Sequence, residues 1–374
     1  MDPEQSAPSL SLCNPAELSV PLELQTESEL RGPCVNYVSA LFALALSCQM
    51  LQRTHIEARR NDRPLIGIVS EPGGPSPEGY SYIAGSYVRF IESAGARAVP
   101  IPYDLPIDET KRRFGLINGV LIPGGAGTLA AGYQFFDTAK LLMELALAAN
   151  DQGDYFPVHG TCLGFQLMCI AISQNESLLS SFDAGNYPSV QSLTQAAGNS
   201  RFYAHFPDQL RSDVMDLPIT MQNHHFGVTL ESFRDSQKLT SFFDLLSTAK
   251  DRQGKEYVNT IEGKKYPFSG CEWHPEKNAY EWAPQLGIPH SPEAIDVTYA
   301  AAKFVVGEAR KNFHATKDIV EEDGLLVYRY QTLFTGLHKQ STDEHSFEEC
   351  YLIPEALSGM PSAVDGRQLI GGQY

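Results

Sequence analysis

The sequence predicts an α/β fold in which a doubly wound, mostly parallel sheet is flanked by helices and extended by additional antiparallel strands. Two observations lead to this prediction. From residue 63 to about residue 180, short apolar runs that end at Gly or Pro alternate with longer runs of helical period, which is typical of a parallel sheet covered on both faces. Beyond about residue 180, strand-like segments follow one another with a more antiparallel pattern.

The first half of the folded region contains strands and helices in regular turn. Leu65–Val69 is a short buried-strand run that ends at Pro and Gly. The segment YSYIAGSYVRFIESAGA, residues 80–96, has the period of a helix that stops at Gly95. The remaining elements are predicted strands in RAVPIPY (97–103), INGVLIPGGAG (117–127) and YFPVHG (155–160), and predicted helices at 136–149 and 163–172.

The second half is predicted to contain strands, one long helix and a tail. The strands lie in LPITMQNHHFGVTL, EYVNTIEG and KKYPFSGCEWHPEK, the helix covers 295–311, and LLVYRYQ is strand-like. We therefore divide the chain into an extension at 1–60, a folded domain at 61–315, and a tail at 316–374 with a terminal strand packed on the domain and a disordered end. In such a sheet the ligand crevice lies at the carboxyl ends of the parallel strands.

Composition restricts the class of partner. A net charge of −17 at pH 7 and a pI near 5.0 argue against binding nucleic acid through a basic surface. The seven cysteines are sparse and odd in number, so they do not form a disulfide framework, and no Cys/His cluster has the spacing of a structural metal site. We expect a small-molecule partner, no nucleic acid and no metal.

The extension contains one signal-like apolar segment, at about 34–50, flanked by Arg31 and Arg53. Its length fits the apolar region of a secretory signal. The segment before it is long and net acidic, however, so the alternatives are an uncleaved anchor and a spurious or disordered extension. If the extension is spurious, a start at Met50 would give a cytosolic protein with the same catalytic core. The secretory interpretation implies a vacuole or lysosome, or the extracellular space. Asn175 begins a glycosylation sequon, which is a weak signal.

Cys162 stands in a setting that no other cysteine of the chain has. In PVHGTCLGFQ it lies between two nearby glycines, after a strand-like run and before a helical one. A residue at such a strand-to-helix turn is held in a strained conformation that pushes its side chain into the crevice. The helix that follows would direct its amino-terminal N–H groups at the sulfur and favour the thiolate. The alternative is a small buried core residue.

A thiolate nucleophile needs a proton-transfer partner, and CEWHPEK supplies His274 with Glu276 two residues later. Residues at i and i+2 on a strand face the same way, so the carboxylate could orient the imidazole. The alternative is a histidine with no chemical role. Cys169 and Cys271 are interpreted as core or surface residues.

Acyl transfer also needs donors for a developing oxyanion. The glycine loop PGGAG, residues 123–127, offers backbone N–H groups beside the elbow, and Gly125 and Leu163 are the expected donors. The alternative is that these glycines serve only to form a tight turn. They do not match the G-x-G-x-x-G pattern of a dinucleotide loop.

Together these motifs resemble the class I glutamine amidotransferase superfamily and, within it, the γ-glutamyl hydrolases, which are peptidases of folate polyglutamates. The resemblance covers roughly residues 63 to 312, and MQNHHFG is worded most like plant members. Its stretches, in order, are RPLIGIVSEPG, YIAGSYVRFIESAGARAVPI, INGVLIPGG, FPVHGTCLGFQ, MQNHHFG, YPFSGCEWHPEKNAYEW and ARKN.

The resemblance implies a flavodoxin-like fold of the amidotransferase type and a role for each matching residue. Cys162 would be the nucleophile, His274 the general acid/base and Glu276 a possible orienting carboxylate. His224 falls where the family has a further histidine near the active site. The family usually reads C-L-G-F-E, whereas this chain has Gln166 in place of the glutamate; we expect activity to survive, with Gln166 and His224 contacting substrate.

The function expected from this resemblance is hydrolysis of γ-glutamyl bonds in folylpoly-γ-glutamates through a thioester on Cys162, without metal or organic cofactor. Lys or Arg side chains should line the path of the polyanionic tail, and a homodimer is possible because dimers occur in the family. A glutaminase-type amidotransferase subunit and a catalytically inactive binding relative are the alternatives.

Overall fold

A computed structural model describes residues 60–338 and 347–356. All of these residues belong to one unit, Arg59–Tyr374. The signal-like segment at 34–50 and the end of the tail lie outside the described residues, so those expectations stay predictions, as do the domain boundaries at 60 and 315. Within the described ranges, no helix combines the length and apolar character needed to cross a membrane.

Fourteen strands are present among the described residues. They are β1 (Leu65–Val69), β2 (Glu71–Pro72), β3 (Tyr80–Ala84), β4 (Arg97–Ile101), β5 (Gly119–Ile122), β6 (Val158–Thr161), β7 (Leu179–Ser189), β8 (Ser192–Leu193), β9 (Thr220–Val228), β10 (Phe243–Lys250), β11 (Glu256–Gly263), β12 (Phe268–Cys271), β13 (Gln331–Phe334) and β14 (Glu349–Pro354).

Ten α-helices connect the strands of the described part of the chain. They are α1 (Gly85–Ser93), α2 (Ile107–Phe114), α3 (Gln134–Asp151), α4 (Leu163–Ser173), α5 (Asp208–Asp216), α6 (Leu230–Asp235), α7 (Gln237–Phe242), α8 (Lys277–Tyr280), α9 (Pro292–Ala309) and α10 (Ile319–Leu325).

The central sheet has eight strands in the order β4-β1-β5-β6-β12-β11-β10-β8. The first five strands are mutually parallel, whereas β11, β10 and β8 continue the sheet with antiparallel neighbours. Parallel strands need crossover connections, and α1, α2, α3 and α4 provide the helical ones in the first half of the chain. The α/β fold expected from the sequence, a mostly parallel sheet flanked by helices, is therefore confirmed.

The core occupies both faces of this sheet. Along β1, Ile66 and Ile68 belong to one cluster of buried apolar side chains, while Leu65 and Val69 belong to the other. This division follows from the period of two along a strand, which sends successive side chains to opposite faces. The first cluster includes α1 and α9, and the second includes α3 and α4.

Two smaller antiparallel sheets complete the described part of the structure. One has the order β13-β14-β3-β2 and the other pairs β7 with β9. The first corrects the helix expected from residue 80, because Tyr80–Ala84 is strand and pairs with Glu349–Pro354 across more than 260 residues of sequence. The segment LLVYRYQ also differs from the strand that was expected there. Its centre is a 3-10 turn, and the strand begins only at Gln331.

Candidate active site

Cys162 occupies a sharp turn between β6 and α4. Strand β6 ends at Thr161 and α4 begins at Leu163, so the cysteine is the single residue between them. Its backbone has φ 48° and ψ −107°. Such a conformation costs a non-glycine residue about 1–3 kcal/mol and persists where the surrounding structure holds it. The elbow expected from the sequence is present, at the carboxyl end of the central sheet.

Two glycines permit the close backbone approach around this turn. A Cβ on Gly164 would lie 2.1 Å from the carbonyl oxygen of Ile122, and a Cβ on Gly160 would lie 2.6 Å from the sulfur of Met168. Neither gap admits a methyl group. The N–H of Gly164 also donates to the Pro123 carbonyl at 3.1 Å, which joins the elbow to the end of β5. The glycines flanking Cys162 are therefore a steric requirement of the turn.

His274 and Glu276 follow the carboxyl end of β12, the strand that lies beside β6. The register pairs Thr161 with Cys271, so the segments after both strands meet at the same edge of the sheet. His274 Nδ1 lies 2.7 Å from Glu276 Oε1, and both side chains are buried. Because a carboxylate accepts, Nδ1 carries the proton, which leaves Nε2 as the nitrogen for proton exchange.

The local geometry of this pair differs from the sequence argument. Both residues lie beyond the strand, and Glu276 has helical backbone angles of φ −75° and ψ −22° immediately before α8. A turn after β12 therefore brings the carboxylate to the imidazole. The expectation that the two side chains share one face of a strand is wrong, although the contact that it was meant to explain is present.

The nucleophile and the imidazole meet above Gly124. A Cβ built on Gly124 would lie 2.7 Å from His274 Cε1 and 3.1 Å from Cys162 Cβ, so the two side chains approach the same point. The main-chain N–H of His274 donates to the Met221 carbonyl at 2.8 Å and anchors the histidine to β9. The structure thus brings together two residues that are 112 positions apart in the chain.

Tyr87 is part of this arrangement and was not singled out in the sequence. Its hydroxyl accepts the N–H of Gly124 at 2.7 Å and lies 3.5 Å from His274 Nδ1. The ring is 1% exposed and belongs to the core. In the sequence Tyr87 is one of several apolar residues on the buried side of a helix, so its spacing alone carried no signal of a second role.

Gly124→Ala is expected to lower kcat by roughly 10- to 100-fold, because the added methyl group would displace His274 and a displacement near 1 Å can cost about 100-fold. The measurement is kcat together with the melting temperature. Gly198→Ala is the matched control, since a Cβ there meets no atom within 4 Å. Wild-type kcat in Gly124→Ala would contradict this geometry.

Burial dominates the electrostatics of the thiol. It raises the pKa of Cys162 well above the ordinary value, and the charges of Glu272 and Glu276 raise that pKa further. Lys277 and the N–H of Leu163 act in the opposite direction. The expected preference for thiolate at the helix amino terminus is therefore outweighed by burial, and Cys162 holds its proton until a base accepts it.

Glu276 is suited to stabilise a protonated imidazole. Burial acts to raise its pKa, but the charge and hydrogen bond of His274 and the charge of Lys277 hold the pKa below its usual value. The carboxylate consequently stays ionised at neutral pH. A proton passed from Cys162 to His274 would create an imidazolium directly beside this negative charge.

The glycine loop at 123–127 lies next to the elbow, with Glu71 packed beneath it. Gly127 N–H donates to Glu71 Oε2 at 3.3 Å, and a Cβ on Gly125 would lie 2.4 Å from that carboxyl group. Burial raises the pKa of Glu71 to about 8, against the hydrogen bonds from Gly127 and Ala126. Gly125 and Leu163 line one cavity, as their expected role as oxyanion donors requires.

A cavity of about 570 Å³ opens beside Cys162. Neither Lys nor Arg is among the described residues that line it, and the expectation that such residues line the path of the polyanionic tail stays a prediction. The lining is Gly125, Ala126, Gly127, Leu129, Cys162, Leu163, Gln166, Glu176, Leu179, Asn223, His224, His225 and Phe226.

His224 and Gln166 both lie at the wall of this cavity, as the resemblance implied. His224 Nδ1 donates to the Phe226 carbonyl at 2.8 Å. Burial lowers the pKa of His224 to about 3, so the ring is neutral at ordinary pH. Gln166 Nε2 donates to the same carbonyl at 2.8 Å and to Glu272 at 2.5 Å. Their contact with substrate stays a prediction, and Glu272 was not foreseen.

The other candidate residues lie apart from this chemistry. Asn175 is exposed in the turn after α4, and its role as a glycosylation site stays a prediction. Cys169 and Cys271 are fully buried in the core. Within the described ranges, no group of three or more His, Cys, Asp and Glu side chains could hold a metal ion.

The sequence is similar to those of known peptidases. The family model of peptidase C26 matches residues 64–276. γ-Glutamyl hydrolase 1 of Arabidopsis thaliana is 39% identical over 291 residues, which cover 76% of this chain and 82% of the relative. The mouse γ-glutamyl hydrolase is 40% identical over 297 residues, covering 78% of this chain and 90% of the relative.

The human γ-glutamyl hydrolase is 36% identical over 324 residues, which cover 86% of this chain and 98% of the human protein. The matched family region contains Cys162, His274 and Glu276, together with the glycine loop. Similarity to curated hydrolases over 76% to 86% of this chain, together with the geometry of the site, shows that the protein is an enzyme. The chain belongs to the γ-glutamyl hydrolase family, the C26 family of peptidases.

Proposed function

We propose that this protein hydrolyses the γ-glutamyl bonds of folylpoly-γ-glutamates, with Cys162 as nucleophile. The observation that carries the proposal is the meeting of Cys162 and the His274–Glu276 pair above Gly124, beside a cavity of about 570 Å³. A cavity of this size accommodates a ligand segment rather than a single water molecule. Family membership supports the class of bond that is cleaved.

The first half of the reaction transfers the acyl group to sulfur. His274 Nε2 accepts the thiol proton as Cys162 Sγ attacks the γ-carbonyl carbon, and the carbonyl oxygen becomes an oxyanion held by the N–H groups of Gly125 and Leu163. The C–N bond then breaks. The imidazolium gives its proton to the departing amine, which leaves as glutamate or a shorter poly-γ-glutamate, and a γ-acyl thioester remains on Cys162.

The second half returns the enzyme to its starting state. His274 accepts a proton from water, the resulting hydroxide attacks the thioester carbonyl, and the C–S bond breaks. Sulfur then takes the proton from the imidazolium, and the shortened folate leaves as a γ-carboxylic acid that loses its proton to water. Glu276 stabilises the imidazolium in both halves. The proposal requires no metal and no organic cofactor.

The proposal also includes the location of the protein in the cell and its oligomeric state. The apolar run at 34–50 supports delivery through the secretory pathway to a vacuole, a lysosome or the extracellular space. A homodimer is included on the resemblance alone.

The test is incubation of the full chain with a folate pentaglutamate at pH 5 and at pH 7.5, with products separated by chromatography beside a Cys162→Ala control. We expect shortened folates from the wild type alone, and their lengths report whether cleavage is internal or terminal. Glutamine is offered in a parallel reaction. Release of ammonia from glutamine with no folate cleavage would replace the proposal by a glutaminase, and no reaction with either would indicate an inactive relative.

A further inference from the structure

A buried carboxyl group lies behind the nucleophile and takes no part in the reaction described above. Glu272 immediately follows β12 and is 0% exposed. Its main-chain N–H donates to the Asn259 carbonyl at 2.9 Å, which holds the residue against β11. Its side chain points to α4, the helix that begins after Cys162. A fully buried carboxyl group is costly unless it is hydrogen-bonded, so its partners define its role.

The partner of Glu272 is Gln166, in the first turn of α4. Gln166 Nε2 donates to Glu272 Oε1 at 2.5 Å. The main-chain N–H of Gln166 donates to the Cys162 carbonyl at 2.9 Å, so this glutamine also closes the helical turn that carries the nucleophile. The amide–carboxyl contact thus joins the turn of Cys162 to the segment that leads, two residues later, to His274.

His224 and the carbonyl of Phe226 complete the cluster from β9. His224 Nδ1 lies 2.8 Å from the Phe226 carbonyl oxygen and 3.3 Å from Glu272 Oε1. Gln166 Nε2 lies 2.8 Å from the same carbonyl oxygen. The Phe226 carbonyl therefore accepts from both the Gln166 amide and the His224 imidazole, and the Gln166 amide also donates to Glu272 Oε1. The cluster connects α4 and β9, which both contribute to the wall of the cavity, with the segment that follows β12.

The polarity of the Gln166–Glu272 contact bears on the departure from the C-L-G-F-E motif at position 166. Where the family usually has a glutamate, this chain has Gln166, which can donate through Nε2 but carries no charge. In the structure the contact still pairs an acid with its partner, but the acid is Glu272 and position 166 supplies the amide. An amide and a carboxyl group have nearly the same shape, so donor and acceptor can exchange places without a change in volume.

We propose that Glu272 is a positioning residue that holds the turn of Cys162 against the segment of His274 through Gln166, so that the acid lost at position 166 is supplied from position 272. This inference rests on the proposed function for its kinetic meaning. Its structural content, that the two positions act as one acid–amide pair, can be tested without any hydrolytic assay.

The surroundings of Glu272 indicate how a second acid would act there. Burial raises the pKa of Glu272 well above its usual range, and the hydrogen bond from Gln166 counteracts this. The titratable groups within electrostatic reach are Cys162 in the turn before α4, Cys169 on α4, His224 on β9 and Tyr257 on β11. A glutamate at position 166 would add a second buried carboxyl group beside Glu272 and close to the Cys162 sulfur.

The experiment compares Gln166→Glu, Glu272→Gln and the double exchange Gln166→Glu/Glu272→Gln with the wild type. We expect each single change to lower kcat/KM for a folate pentaglutamate by roughly 10-fold or more, because each leaves a buried polar group without its complement. The double exchange restores the amide–carboxyl pair with reversed polarity, although the donation from position 166 to the Phe226 carbonyl is lost. Its kcat/KM is therefore expected to be higher than that of either single variant and lower than that of the wild type.

A second readout is the rate of Cys162 alkylation by iodoacetamide as a function of pH. Gln166→Glu is expected to move the alkylation midpoint to higher pH, since a second acid disfavours the thiolate, and the double exchange is expected to move it back. Glu322→Gln is the control: this carboxylate binds Arg63 and Arg97 away from the cavity, so its loss should leave the midpoint unchanged.

Two results would overturn the inference. One is a double exchange whose kcat/KM loss equals the product of the two single losses, which would mean that the positions act independently. The other is a Glu272→Gln variant that matches the wild type in both readouts. If the wild type itself cleaves no γ-glutamyl bond, the proposed function fails, while the alkylation profiles still decide whether Gln166 and Glu272 are coupled.

Discussion

Replacing Cys162 by alanine is expected to lower kcat for γ-glutamyl hydrolysis by roughly 10⁴- to 10⁶-fold, the loss typical of removing a covalent nucleophile. That change corresponds to about 5 to 8 kcal/mol of transition-state stabilisation. The thioester cannot form without Sγ, and no Ser, Thr, Lys or second Cys is among the described residues that line the cavity. The measurement is kcat under saturating folate pentaglutamate, together with detection of the acyl-enzyme by mass spectrometry.

The matched control is Cys169→Ala, which removes a second buried thiol from the same helix, α4. We expect this variant to retain kcat near the wild-type value, because Cys169 lies in the core rather than at the cavity. The melting temperature of Cys162→Ala should stay within a few degrees of the wild type, since the Cβ is kept. An active Cys162→Ala variant would exclude the thioester route.

His274→Asn is expected to lower kcat by about 10²- to 10⁴-fold, the usual range for loss of a general acid/base. Asparagine can place its amide nitrogen near the position of Nδ1 and still donate to Glu276, while nothing replaces Nε2. The buried carboxylate therefore keeps a partner, and the variant separates loss of proton transfer from loss of folding. The measurement is kcat as a function of pH, in which the limb assigned to the histidine should disappear.

His205→Asn serves as the control for this substitution, because His205 is exposed and its ring contacts Phe304 rather than the cavity. Wild-type kcat is expected there. If His274→Asn kept the wild-type pH profile, proton transfer would have to be assigned to another group, and the neutral, buried His224 would be the first to test.

Much of the candidate site could be predicted because its chemistry is encoded in short local patterns. The glycines around Cys162 are needed by the turn itself, and a Cβ at Gly164 would come within 2.1 Å of a carbonyl oxygen. His274 and Glu276 are only two residues apart, so a contact between them could be expected from local sequence, although a turn after β12 rather than a shared strand face produces it. The glycine loop was identified for the same reason.

The parts that were missed depend on contacts between distant segments. Tyr87 reaches Gly124 across 37 residues, and Glu272 reaches Gln166 across 106 residues. Nothing in the local sequence of Tyr87 distinguishes it from a core residue. The pKa of the Cys162 thiol was missed for the same reason. Burial raises it and the helix end lowers it, and the balance depends on all the groups packed around the sulfur.

The same distinction applies to the fold. Residues 80–84 have a pattern compatible with a helix, yet they form β3 because β14 pairs with them along its whole length. Local propensity is a weak preference, and a row of main-chain hydrogen bonds from a distant strand overrides it. The helix at α1, which begins at Gly85 just beyond that pairing, kept the structure that its period indicated.

The sequence alone determined the α/β class, the alternation of strands and helices before residue 180, the elbow at Cys162 and the pairing of His274 with Glu276. Each of these follows from patterns of residues that are neighbours in the chain. The tertiary structure decided the protonation of the thiol, the place of Tyr87, which described residues line the cavity and the acid at Glu272 that faces Gln166. These depend on burial and on side chains brought together from separate strands, and neither quantity is a function of local sequence.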